Sequence, residues 1–253
     1  MSSGDHPSFP NPTIQEALCE IHFRLAEGRK WDASWYGEFF KRVQGEFPIF
    51  QPLTPIQMQF QITQHPSGAP MLVLPQVIRY QHGSRSVLIQ LSEGRIVINS
   101  LPPYLGWNQV REDIKYAWGH LREIADPDNI TRISARYINR IERSEPHETL
   151  GTWLVPNEYI LAQVLRSQPG FIAQMDLHID IDEHVALTLT DQGPVTGGNG
   201  AFIFDIGRIS DVAGPPDTTW LLSRADALHE DIWRIFRSAC GEKLERMLQG
   251  ELV

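Results

Sequence analysis

Ile130-Thr131-Arg132-Ile133-Ser134-Ala135-Arg136-Tyr137-Ile138-Asn139-Arg140-Ile141-Glu142, near the middle of a 253-residue chain, is the stretch whose reading decides the fold. Side chains of a β-strand alternate between its two faces. With that period Ile133, Ala135, Tyr137, Asn139 and Ile141 point one way, and Arg132, Ser134, Arg136, Ile138 and Arg140 the other. The segment predicts a half-buried strand between two helical segments. Its outward face carries an arginine at every fourth residue, although the whole chain has a net charge of −9.

Upstream, Val110, Ile114, Ala117, Trp118 and Leu121 keep helical spacing, and the helix stops at Asp126-Pro127. Leu101-Pro102-Pro103-Tyr104-Leu105-Gly106-Trp107 reads as a rigid turn leading into it. A hairpin over 87–91 and 96–99 turns at Glu93-Gly94. Strands are expected near 56–63 and 76–81, after a proline-broken connection. Before that connection, a helix capped by Asp32 or Ser34 carries Tyr36, Phe39, Phe40, Val43 and Phe47 and ends at Pro48. The first strand covers 16–25, with Ala17, Cys19, Ile21 and Phe23 inward and Glu16, Glu20, His22 and Arg24 outward. Residues 1–12, with three prolines, read as an extended arm.

Downstream, residues 148–165 hold helical pieces broken at Pro156, and strands are expected over 171–181, 185–190 and 201–209. A tight turn at Asp182-Glu183-His184 joins the first two, and a glycine-rich loop at 193–200 precedes the third. One long closing helix is expected from Thr218 to Gln249, with Leu221, Ala225, Leu228, Ile232, Phe236 and Cys240 among its apolar stripe. Strand, helix, antiparallel strands and long helix thus occur twice, starting at Glu16 and at Ile130. The expected fold is α+β: two pseudo-repeated units, 13–128 and 129–253, sharing a continuous antiparallel sheet with helices on one face. This element order resembles the TATA-binding-protein saddle, a likeness of architecture that implies nothing about function.

Composition bounds the function. The residues up to Glu145 carry 15 basic and 15 acidic side chains, and the remainder carries 7 and 16. Nucleic-acid binding is disfavoured, because phosphate contacts need surplus lysine and arginine. The acidic second unit instead suits a basic protein partner. No apolar run reaches the ~18 residues of a membrane span, and the N-terminal residues lack the features of a signal peptide. Cys19 and Cys240 fall inside expected elements and read as buried thiols of a cytoplasmic protein.

Three signatures carry a further resemblance: Glu16-Ala17-Leu18-Cys19-Glu20 after Pro10-Asn11-Pro12, the Leu101 to Trp107 turn, and Arg136-Tyr137-Ile138-Asn139-Arg140-Ile141. With Ala227-Leu228-His229 and Ile235-Phe236 of the last helix, they resemble a sporadically distributed family of uncharacterised prokaryotic proteins of about this length. The likeness covers nearly the whole chain. A patchy distribution implies an accessory role, as in defence or toxin–antitoxin modules, and the resemblance supplies no activity.

Two groups of residues are candidates for a ligand or partner surface. Arg132, Arg136 and Arg140, spaced about 13 Å apart by strand rise, could hold phosphates or carboxylates in guanidinium forks, with Tyr137 and Asn139 adding selectivity if the strand twists at an edge. The competing reading is an internal salt ladder, with Glu16 and Glu20 beside Arg136 and Arg140 and with Asp176, Asp180 and Asp182 as a second acidic supply. Tyr104 and Trp107 could present rings to a ligand from the proline turn. Asp176-x-His178-x-Asp180-x-Asp182-x-His184 is the metal-like run, but neighbours on one strand face lie about 7 Å apart, and an amphipathic strand explains the pattern. No metal or cofactor is therefore expected. His229-Glu230 lacks the second histidine of a zinc protease, since position 233 is Trp233, and His229 reads as flanking the apolar stripe. Glycines 193–200 lack the lysine of a phosphate loop. No catalytic constellation emerges. The expectation is a non-catalytic binding or interaction protein. The alternatives are RNA or nucleotide recognition through the arginine strand, and an enzyme built on the Asp and His residues of 176–184.

Overall fold

The alternation read at Glu16 and at Ile130 is realised in two neighbouring strands. A computed structural model describes residues 6, 9–53, 76–166, 170–193 and 198–251, and the strand expected near 56–63 lies outside them. The elements are β1 (Ile14–Leu25), α1 (Ser34–Val43), β2 (Ile49–Leu53), β3 (Val77–Gln81), β4 (Val87–Ser92), β5 (Arg95–Ser100), α2 (Trp107–Ala125) and β6 (Pro127–Glu142). A short 3-10 turn (Leu150–Thr152), α3 (Ala162–Leu165), β7 (Ile172–Asp180), β8 (Glu183–Asp191), β9 (Ala201–Ser210), α4 (Thr218–Ala239) and α5 (Glu242–Leu248) complete the described chain.

The nine strands form one antiparallel sheet in the order β2-β3-β4-β5-β1-β6-β9-β8-β7. The chain is α+β, and β1 and β6 are its central pair, with Ala17 opposite Tyr137 and Cys19 opposite Ala135. Ala17, Cys19, Ile21, Ile133, Ala135 and Ile141 are buried on one sheet face. The three longer helices pack on this same face. Trp118 of α2 meets Phe23 edge-on at 5.8 Å, Phe39 of α1 meets Tyr80 at 5.0 Å, and Phe236 of α4 lies 6.1 Å from Phe204. Fully burying such side chains contributes roughly 1.5–3 kcal/mol each. Among the described residues, no helix is long and apolar enough to cross a membrane.

Two elements differ from expectation. Residues 49–53, read as a connection because of Pro52, form β2 at the sheet edge, where a missing N–H costs no ladder bond on the solvent side. The closing helix is not continuous from Thr218 to Gln249: Cys240 is extended (φ −64°, ψ 123°) and separates α4 from α5. At this break Leu154 pairs with Cys240, and the Gly241 N–H donates to Trp153 O at 2.8 Å. A Cβ on Gly241 would sit 2.8 Å from that oxygen, so the close approach requires glycine. The apolar spacing continues through the break, with Leu244 buried, so periodicity alone could not reveal it.

A candidate ligand-binding cavity

Strand alternation separates the candidate residues into two groups on opposite faces of β6. The arginines stand on the face away from the long helices, and each has a partner. Arg136 donates to both carboxylate oxygens of Asp205 at 2.8 and 2.5 Å. Arg132 Nε donates to Asp211 at 2.5 Å. Arg140 bonds Glu142 at 2.6 Å and Gln192 at 2.8 Å. The strand pairing does place Glu16 and Glu20 next to this row, opposite Ile138 and Ser134. Their hydrogen bonds go elsewhere, to Asn99 for Glu16 and to His22 and Arg95 for Glu20. A salt ladder exists, but its acids are Asp205 of β9, Asp211 just after it and Glu142 of β6 itself. The expected pairs between Glu16 or Glu20 and Arg136 or Arg140 do not form.

Electrostatics agree with this arrangement. The hydrogen bond to Asp205 raises the Arg136 pKa against the opposing effect of burial, and the charges of Glu16 and Glu20 add to it. Burial works to raise the Glu20 carboxyl, but the His22 hydrogen bond and the charges of Arg95 and Arg132 outweigh it and hold Glu20 below the usual range.

Tyr137 and Asn139 face the helices, where Tyr104 and Trp107 join them. The route is local: Leu101–Gly106 turns through a cis Pro102–Pro103 bond, Gly106 takes φ 94°, and Trp107 opens α2. The positive φ is readily adopted by glycine, and it aims the first turn of α2 at α4. The Trp107 N–H donates to Asp226 at 2.9 Å, and Arg111 locks the same carboxylate at 3.0 Å. The Tyr104 and Tyr137 hydroxyls lie 3.1 Å apart. Asn139 accepts from Thr13 at 2.9 Å and donates to Phe204 O at 3.1 Å.

These residues wall a cavity of about 620 Å³ between β6, the proline turn, α4 and the N-terminal residues. Among the described residues, its lining contains no lysine, arginine, aspartate or glutamate. The ring of His229 lies flat on Trp107, with centroids 4.3 Å apart and planes 10° from parallel. It is 6% exposed, and neither ring nitrogen has a hydrogen-bond partner among the described residues. Burial, then the nearby His6 ring, lowers its pKa from 6.5 to about 3. The imidazole is therefore neutral at physiological pH, offering one donor and one acceptor. Burial likewise pushes the Tyr104 hydroxyl up to about 12 and Tyr137 well above its ordinary value. At the rim His6 stacks on Trp233 at 4.4 Å and bonds Glu230 at 2.7 Å, while Phe9 stacks on Trp233 at 5.6 Å.

The sequence reading missed His229, Trp233 and His6 as parts of this site. His229 follows Ala225 by four positions and precedes Ile232 by three, a spacing that puts it on the buried stripe rather than beside it. His6 carried no signal, since its contacts reach across the whole length of the chain.

Arg140 and Glu142 border a second, smaller cavity of about 360 Å³ with Trp153 and Met247. At the far sheet edge, Asp176, His178 and His184 each offer one ligand atom within 4.8 Å of the others. The separation expected along one strand does not apply there, because His184 belongs to β8 and stands directly opposite His178 of β7. Asp180 is paired with Glu183 at the turn, outside this cluster. No protein-family model matches the sequence, and no curated protein matches it.

Proposed function

We propose that this chain is a non-catalytic binding protein whose larger cavity takes a small, uncharged, planar molecule. The observation that carries this reading is His229, buried at the cavity wall with both nitrogens unpartnered among the described residues. An unsatisfied buried polar group costs about 1–3 kcal/mol. A ligand that accepts from one nitrogen and donates to the other removes that cost. The described lining residues carry no Lys, Arg, Asp or Glu, which argues for a neutral ligand, because an ion would lose its hydration without gaining a counter-charge from them. Trp107, Tyr104 and Trp233 provide ring faces and edges, and the volume lies within the few-hundred to ~1,000 Å³ range of small-molecule sites. The arginine alternative loses support, because Asp205, Asp211 and Glu142 already neutralise that face.

The test is native mass spectrometry of the purified chain, followed by ligand-observed NMR with neutral bicyclic heteroaromatics such as indole and purine. Binding that His229→Leu weakens and Ile232→Phe, which narrows the cavity, abolishes would support the reading. No binding by any probe and no co-purifying small molecule would refute it.

We read the two halves as pseudo-equivalent units of the TATA-binding-protein-like order, meeting at the β1–β6 pair. The strand order supports this: β5, β4 and β3 run outward from β1, as β9, β8 and β7 do from β6, and a long helix follows β5 and β9 in turn. The acidic second unit then offers a surface to a basic protein partner within a cytoplasmic accessory system. Co-purification with the product of the adjacent gene, at low and high salt, tests that part. A complex that withstands high salt would count against charge-driven contact.

A further inference from the structure

The β7–β8 hairpin carries a cluster that the cavity does not use. His178 and His184 occupy opposed positions of the two strands, their rings stacked with centroids 4.8 Å apart, and Asp176 lies two residues before His178 on the same face. Asp176 Oδ1 is 3.4 Å from His184 Nδ1 without forming a hydrogen bond to it. A tetrahedral metal with ligands at about 2.0–2.1 Å separates its ligand atoms by about 3.3–3.4 Å, the spacing found between Asp176 and His184. His178 is exposed, its nitrogen lies within 4.8 Å of the other two ligand atoms, and a rotamer change can bring it nearer.

The support behind the cluster is what distinguishes it from a chance group of polar side chains. His184 Nε2 lies 3.1 Å from Asp211 Oδ2, and Arg132 holds the other Asp211 oxygen at 2.5 Å. The Asp211 carboxylate can only accept, so Nε2–H donates to it, and in a neutral imidazole that tautomer leaves the Nδ1 lone pair turned toward Asp176. A metal-ligating imidazole is oriented in the same manner, with a carboxylate on its far nitrogen. Nδ1 is buried and otherwise unsatisfied.

We propose that Asp176, His178 and His184 form a site for a divalent transition-metal ion of the zinc class, with Asp211 as its positioning residue. Two imidazoles and one carboxylate suit zinc, cobalt or nickel better than magnesium or calcium, which prefer oxygen alone. Three protein ligands leave a fourth position to solvent.

The test is titration of the chelator-treated full chain with Co²⁺, read by visible absorption, followed by Zn²⁺ displacement. One equivalent with a tetrahedral spectrum is expected, and it should disappear in Asp176→Asn and in His178→Ala, both at exposed positions. Asp211→Asn should retain the spectrum but bind roughly 10–100-fold more weakly. His147→Ala, which changes an exposed histidine outside the cluster, should bind as the parent does. Absence of a tetrahedral spectrum at millimolar Co²⁺, or stoichiometric binding that survives both ligand substitutions, would overturn the proposal.

Discussion

Replacing His229 with phenylalanine should remove a defined part of the acid sensitivity of folding. The folded-state pKa of His229 is about 3, against 6.5 for the ordinary side chain. A base whose pKa is depressed by folding binds its proton more readily when unfolded, so its contribution is unimpaired above the unfolded value and is lost as pH falls below it. Between about pH 7.5 and about pH 5 the unfolded imidazole goes from mostly neutral to almost fully protonated, while the folded one stays neutral. At 1.36 kcal/mol per unit, that interval costs about 2 kcal/mol. The groups facing the ring cannot offset this: His6 is itself a base, the Tyr137 hydroxyl is neutral, and Glu230 and Asp226 are bonded to His6 and to Trp107 with Arg111. Urea unfolding followed by circular dichroism at the two pH values gives the loss for parent and variant. Other titrating groups contribute equally to both, so the difference between the two losses isolates His229. His229→Phe keeps a ring against Trp107 and should lose about 2 kcal/mol less than the parent. An equal loss in both proteins, or an imidazole NMR titration placing His229 near 6.5, would refute the reasoning.

Other consequences follow from burial at single residues. Arg143 and Asp191 form an ion pair in which the two side chains are 0% and 1% exposed; Arg143→Met should cost about 3–5 kcal/mol in urea unfolding by stranding the carboxylate, and adding Asp191→Leu should recover most of it. Arg136→Ala should cost about 1–3 kcal/mol, because Asp205 is buried and loses two hydrogen bonds. Arg140→Ala, which breaks a pair with a largely exposed Glu142, should cost under ~1 kcal/mol by the same measurement. Burial pushes the Cys19 and Cys240 thiols up to about 12, so a thiol reagent at neutral pH should label neither until urea unfolds the chain.

Period and punctuation made much of the architecture legible. The alternation at 16–25 and 130–142, the hairpin at Glu93-Gly94 and the helix running from Trp107 to the stop at Asp126-Pro127 all rest on interactions between near neighbours. Where a long-range contact overrode the local pattern, the reading failed. Pro52 signalled a break, yet the edge of a sheet accepts a proline. The apolar stripe continued past Ala239, yet Trp153, far back in the chain, bends the backbone at Gly241.

The candidate residues divide along the same line. By itself the sequence determined that Tyr137 and Asn139 leave β6 on one side and the three arginines on the other, because adjacent side chains of a strand must take opposite faces. Only the tertiary structure decided their partners. Asp205 and Asp211, rather than Glu16 and Glu20, hold Arg136 and Arg132, and Glu142 and Gln192 hold Arg140, because β6 has two neighbouring strands and the side-chain rotamers choose between them. Only the folded chain brings His229, Trp107 and His6 to one cavity, and only the pairing of β7 with β8 puts His184 beside His178. Such proximity depends on how separate elements pack together, and residue spacing along one element carries no record of it.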